Sequence, residues 1–204
     1  MIVVKLGGSY AFSKRLQPWL DAIGAAAGRV AVVPGGGPFA EAVRAAQPRM
    51  GFGEKAAHEM ALLAMTQYAI ALASRHPALV LTESLAAMHD ALARGRVPVW
   101  SPWPMLREAA DIPPSWEITS DSLAIWLAAR IAATSLLLVK SRPAPANATA
   151  AGLTEAGLVD AAFPHFAEAY RGEVYIAGPN DAPAALATEA PPGRRIIAAE
   201  AVRP

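Results

Sequence analysis

Four short stretches carry residues that could handle an anion. Lys5 is followed by Gly7, Gly8 and Ser9, and Pro34 by Gly35, Gly36 and Gly37. Thr119, Ser120, Asp121 and Ser122 form a polar cluster, and Lys140 and Arg142 follow an apolar run. Glycines let the backbone come close to an anion and turn its N–H groups inward. A helix starting just after such a turn adds the positive end of its dipole. A single loop of this kind also serves packing in many α/β turns. Two at the carboxyl ends of parallel strands point to a ligand with anionic groups at both. The only lysines are Lys5, Lys14, Lys55 and Lys140, so two of the four stand beside these stretches.

Other chemistries drop out. The chain has no cysteine, which excludes disulfides, thiolate nucleophiles and cysteine-held metals. No G-x-x-x-x-G-K-[ST] string occurs, so the loops are not a P-loop. Gly51-Phe52-Gly53-Glu54-Lys55-Ala56 lacks a preceding strand and reads as a turn. His76, His89 and His165 show no ligand spacing, and no protein-held metal is expected. No Ser-His-Asp arrangement is evident. Net charge is +1, which gives no electrostatic case for nucleic acid. Hydrophobic residues make up 54%, yet no apolar run reaches the 18 or so residues of a membrane span. The N-terminus lacks the pattern of a signal peptide, so the expectation is a cytoplasmic protein. On that expectation the sequon at Asn147 has no use.

The elements that must position these residues alternate between short β-like runs and longer helical ones. This predicts an α/β fold with a mostly parallel sheet. Strands are expected at Ile2–Leu6, Arg29–Val33, Ala78–Leu81, Val97–Trp100, Ser135–Val139, Glu173–Ile176 and Arg195–Ala198. Helices are expected at Leu16–Ala27, Pro38–Ala46, Lys55–Ser74, Ser84–Arg94 and Asp121–Ala133. Apolar residues are so dense in Lys55–Ser74 that this helix should be buried on more than one side. Thr119 and Ser120 are candidate caps for the helix that follows them. Ser101–Glu117, rich in proline and tryptophan, reads as an ordered loop. Arg142–Ala151 reads as mobile. No internal repeat and no strong linker divides the chain, so a single domain is expected.

Val4-Lys5-Leu6-Gly7-Gly8-Ser9 resembles the opening motif of the amino acid kinase superfamily. Val33-Pro34-Gly35-Gly36-Gly37-Pro38-Phe39-Ala40 is similar to its second glycine loop, and Thr119-Ser120-Asp121-Ser122-Leu123-Ala124 to its acidic motif. Ser135–Lys140 resembles the strand that leads into the nucleotide site. The resemblance spans most of residues 1–160. It implies a three-layer αβα sandwich, with an acceptor-binding part over about 1–118 and a nucleotide-binding part over about 119–204. Ser115–Ser122 and His58–Met65 look like a subgroup of archaea and methylotrophs. Its characterised enzyme phosphorylates [5-(aminomethyl)furan-3-yl]methyl phosphate, in methanofuran-type one-carbon metabolism.

The resemblance implies an ATP-dependent kinase with Mg²⁺ on the ATP phosphates and a small phosphorylated acceptor. Lys5 would bridge the two phosphates, and Asp121 would orient it. Gly7, Gly8 and Ser9, with Ser120, Lys140 and Arg142, would hold ATP. Gly35, Gly36, Gly37, His58 and Trp116 would hold the acceptor. An anionic acceptor needs no general base, and phosphoryl transfer depends mainly on positioning and charge neutralisation. Relatives commonly self-associate, so a homo-oligomer is expected. Many members carry a second catalytic lysine late in the chain. Here no lysine follows Lys140, so Lys140, Arg142 or Mg²⁺ alone must take that part.

Each residue also has a simpler reading. Lys5 could be a solvated strand end, and Asp121 a first-turn acid favoured by the helix dipole. His58 could pair with Glu54 along its helix. Trp116 could be a packing anchor, although a furan ring would stack on it. A nucleoside-monophosphate kinase and a non-catalytic nucleotide-binding protein of the same fold are the competing readings.

Overall fold

The computed structural model describes residues 1–146, 148–188 and 191–197. The strands are β1 (Ile2–Leu6), β2 (Val30–Pro34), β3 (Leu79–Thr82), β4 (Val97–Trp100), β5 (Ser135–Val139), β6 (Glu173–Ala177) and β7 (Arg194–Arg195). They form one sheet in the order β3-β4-β2-β1-β5-β6-β7. All pairings are parallel except β6 with β7. β1, β2 and β5 lie at or beside the centre and are buried along their whole length. Their near-continuous apolar runs suit a parallel sheet covered on both faces. Of the last expected strand, Arg195 pairs with Tyr175, and Ala198 lies outside the described residues.

The helices are α1 (Leu16–Ala25), α2 (Gly37–Met50), α3 (Glu54–Ala73), α4 (Leu85–Ala93), α5 (Trp103–Leu106), α6 (Ser120–Arg130), α7 (Ala150–Glu155) and α8 (Phe163–Ala169). Alternation along the strands divides the core in two. Val3, Val33, Leu136 and Leu138 pack with α6, α8 and Met88 of α4 on one face. Ile2, Val4, Leu6, Val32 and Leu137 pack with α1 on the other. This is the expected three-layer α/β sandwich. α3 contributes Leu62 and Met65 to the first cluster and Tyr68, Ala69 and Leu72 to the second. It is buried on more than one side, as its composition predicts. Among the described residues, no helix is long and apolar enough to cross a membrane.

Three expectations need correction. α2 runs on to Met50 through Pro48, and ends only where Gly51 takes a left-handed φ of 74°. Ser101–Glu117 contains the short helix α5. Thr119 occupies the N-cap position of α6, but its side chain makes no cap bond; it donates to Asp160 instead. Within Arg142–Ala151, described residues at both ends make hydrogen bonds. Thr149 caps α7 by accepting from the Gly152 N–H, and the Arg142 guanidinium donates to the Ala156 and Gly157 carbonyls. Asn147 lies outside the described residues.

Candidate active site

Strand parity brings the two lysines together. Side chains along a strand alternate between faces. Lys5 follows Val3 by two positions on β1, and Lys140 follows Leu138 by two beyond β5. Lys5 sits opposite Leu138 in the parallel pairing, and the Lys140 N–H still donates to the Ala177 carbonyl. Both ammonium groups therefore emerge on the α6 face, at the carboxyl ends of neighbouring strands. Ligands of open α/β sheets sit at this edge.

Asp121, in the first turn of α6, meets both. Its Oδ1 lies 2.8 Å from Lys5 Nζ. Lys140 Nζ lies 2.7 Å from Oδ1 and 2.8 Å from Oδ2. Lys5 is 4% exposed and Asp121 5%. Burial alone would raise the Asp121 carboxyl, yet the two ammoniums hold it below the usual carboxylate range. Burial, and then Lys5, push Lys140 down to about 8, against the pull of Asp121. A buried cluster with two cations and one anion is costly unless it serves a ligand. Its spare positive charge would be neutralised by a phosphate.

The glycine loops meet backbone to backbone above this cluster. A Cβ on Gly8 would lie 2.4 Å from the Gly37 nitrogen, and one on Gly35 would lie 2.4 Å from the Gly8 nitrogen. Any side chain at Gly8 or Gly35 would force the loops apart. Gly37 also takes a φ of 55°, which favours glycine. The Gly7 N–H donates to the Val139 carbonyl. Tyr10, in the single 3₁₀ turn after Gly7, is buried and donates its hydroxyl to the Lys140 carbonyl at 3.0 Å. That bond ties the first loop to the end of β5.

Gly8, Ser9, Gly36 and Gly37 line one end of a cavity of about 180 Å³. His58, Trp116 and Ser120 also line it. The fold thus gathers most of the expected acceptor residues with two of the expected ATP-loop residues. Gly35 serves the contact between loops, and Arg142 is directed to the end of α7. His58 Nε2 is buried with no hydrogen-bond partner among the described residues. Burial lowers the imidazole below its ordinary range, while Glu59 and the Ser115 backbone act the other way. The simpler reading, in which His58 pairs with Glu54, does not hold, because Glu54 accepts from Gln47. Trp116 donates its indole N–H to Gln47 Oε1 at 2.7 Å, and the Arg44 guanidinium lies 4.4 Å from its ring centroid. The loop carrying Trp116 is held again further back, where Asp111 accepts from Trp126 and Arg130.

Sequence reasoning missed Tyr10, Glu41 and Asp160. Glu41 also lines the cavity. Asp160 binds the start of α6 from 38 residues away, and no local spacing signals it. Among the described residues, no group of three or more His, Cys, Asp or Glu side chains could hold a metal ion.

The fold is similar to solved structures of kinases. A uridylate kinase from Archaeoglobus fulgidus is 18% identical, with a TM-score of 0.71, covering 96% of this chain and 99% of that one. A UMP kinase from Bacillus anthracis is 13% identical, with a TM-score of 0.71, covering 96% and 94%. An aspartate kinase from Synechocystis is 14% identical, with a TM-score of 0.70, covering 97% of this chain and 39% of that one. A search of curated protein sequences gives no match. Residues 1–143, including both glycine loops, Lys5, Asp121 and Lys140, match the model of the Amino acid kinase family, and the chain belongs to that family.

Proposed function

We propose that this protein is an ATP-dependent kinase that transfers the γ-phosphoryl group to a small phosphomonoester, [5-(aminomethyl)furan-3-yl]methyl phosphate. The observation that carries the reading is the Lys5–Asp121–Lys140 cluster at the junction of two interlocked glycine loops. Lys5 stabilises charge on the transferring group. Asp121 holds Lys5 and Lys140 at fixed separation, and Lys140 takes the part of the absent late lysine. The Gly8 backbone N–H, with Ser9 and Ser120, holds the ATP phosphates, and Gly7, whose own N–H is bonded to Val139, shapes the turn. Gly36 and Gly37 hold the acceptor phosphate, with Gly35 setting the loop contact, while His58 and Trp116 contact its organic part. Mg²⁺ supplies charge neutralisation to the phosphates when bound. The only carboxylate in the cluster is already bonded to two lysines, so the phosphates rather than side chains would carry the ion. The division near residue 118, a cytoplasmic location and self-association belong to the same reading.

A nucleoside-monophosphate kinase is the second reading, favoured by the likeness of fold to uridylate kinases. Against it, Gln47, the one side-chain amide among residues 34–53, is spent on Trp116 and Glu54, which leaves no amide near the second loop to read a base. Purified protein with ATP and Mg²⁺ should convert the furan monophosphate to its diphosphate, followed by ³¹P NMR. Folded protein that leaves this compound untouched and phosphorylates a nucleoside monophosphate would replace the first reading with the second.

A further inference from the structure

Asp160 lies beyond the residues that match the family model, in the turn between α7 and α8. Its carboxylate accepts four hydrogen bonds from one short stretch. The Thr119 N–H and hydroxyl donate to Oδ2 at 3.0 and 2.8 Å. The Ser122 N–H donates to Oδ2 at 3.0 Å, and the Ser122 hydroxyl donates to Oδ1. Two of these donors are backbone groups at the start of α6, where N–H groups otherwise lack partners. A carboxylate there also meets the positive end of the helix dipole.

The attachment is not confined to one side chain. The Ala162 N–H donates to the Glu117 carbonyl at 3.0 Å. Residues 160–162 therefore grip both ends of the stretch 117–122. Within it, Ile118, Thr119 and Ser120 line the cavity, and Asp121 bonds the two lysines. Phe163, fully buried in the core on the α6 face, anchors the grip. Thr119 could have capped the helix with its own hydroxyl; Thr119 and Ser122 both turn theirs to Asp160 instead.

We infer that Asp160 is a positioning residue. It fixes the rotation and height of the first turn of α6, so that Asp121 faces Lys5 and Lys140 together and Thr119 and Ser120 face the cavity. It touches neither reacting phosphate in this role and acts through Asp121. The inference rests on the reading of Lys5, Asp121 and Lys140 as the charge-stabilising cluster, but not on the identity of the acceptor.

The test uses Asp160→Asn and Asp160→Glu in the full chain. The first keeps the shape and loses the charge; the second keeps the charge and displaces it. Lysine side-chain NMR requires no acceptor, and four lysines give few resonances to assign. In both variants Lys140 should titrate at lower pH than in the parent, because Asp121 no longer faces it squarely. With an accepted acceptor, kcat should fall roughly 10- to 100-fold in both. Unchanged Lys140 titration and kcat, with only a lower melting midpoint, would make Asp160 a structural cap and overturn the proposal. A response in Asp160→Asn alone would overturn it too, since charge rather than position would then matter. If the parent turns over no furan phosphate while Lys140 responds as expected in both variants, the acceptor is wrong and the positioning role stands.

Discussion

Around Gly36 and Gly37 the chain closes a cavity and leaves a buried nitrogen of His58 unpaired. Around Lys140 and Arg142 it spends its polar groups on itself. Arg142 donates to the end of α7, Tyr10 holds the Lys140 carbonyl, and the Gly178 N–H donates to Asp181. An unsatisfied buried group costs free energy until a ligand meets it, whereas a satisfied one gains nothing from a ligand. On the proposed reading, the acceptor end would make selective contacts through side chains. On the same reading, the nucleotide end would rely on the loop backbone, two serine hydroxyls and one lysine, which suits a donor shared by many enzymes.

The largest effect should come from the cluster both ends share. Lys5→Met should lower kcat about 10²- to 10³-fold with the fold retained. Asp121→Asn should do at least as much harm and also cost about 3–5 kcal/mol in denaturant unfolding, because it leaves two buried ammoniums without a partner. Activity of Lys5→Met equal to the parent would remove the cluster from the mechanism.

Lys140 gives the next test, through pH. Its ammonium is held at about 8 in the fold against 10.5 for an ordinary lysine. Between these values the unfolded chain binds more protons, so the Lys140 contribution to stability rises with pH from about 8 to about 10.5. Activity should move the other way, falling as pH passes about 8 and the charge is lost. Lys140→Arg should retain charge and shift that alkaline limb out of range. A rate profile in the parent that stays flat to pH 9.5 would show that Lys140 charge is not used.

The smallest effect separates the two ends most directly. His58→Phe should raise KM for the acceptor about 10-fold, leave KM for ATP unchanged and leave stability equal or higher, since an unpaired polar atom is removed. Arg142→Ala should change both constants less than about 2-fold, because its partners are exposed carbonyls near the protein surface. A reversed order, with Arg142 controlling ATP binding, would break the comparison.

The strands and the two glycine loops were legible because parallel-sheet strands and backbone anion sites impose local, periodic demands on sequence. Lys5 and Asp121 were legible through motif resemblance. Their meeting with Lys140 follows from strand alternation once β1 and β5 are neighbours, and that pairing is not written in either strand alone. The loop contact of Gly35 was not legible, because a glycine needed for a close backbone contact looks the same in sequence as one needed for a ligand. Asp160 was invisible because its partners lie far along the chain and its surroundings carry no repeated spacing. α7 and α8 were missed because six- and seven-residue helices have too few turns to display a period.

The interlocked loops have a bearing on how such a protein can change. Gly8 meets the main chain of Gly35 and Gly37 with no room for a side chain at Gly8 or Gly35, so on the proposed reading the gap between donor and acceptor phosphates would be set by backbone thickness. Substitution cannot retune that gap by small steps. A lineage adopting a new acceptor would have to hold this hinge of glycines constant and vary Glu41, Arg44, His58 and Trp116. Reaction geometry and substrate choice are in this way inherited separately.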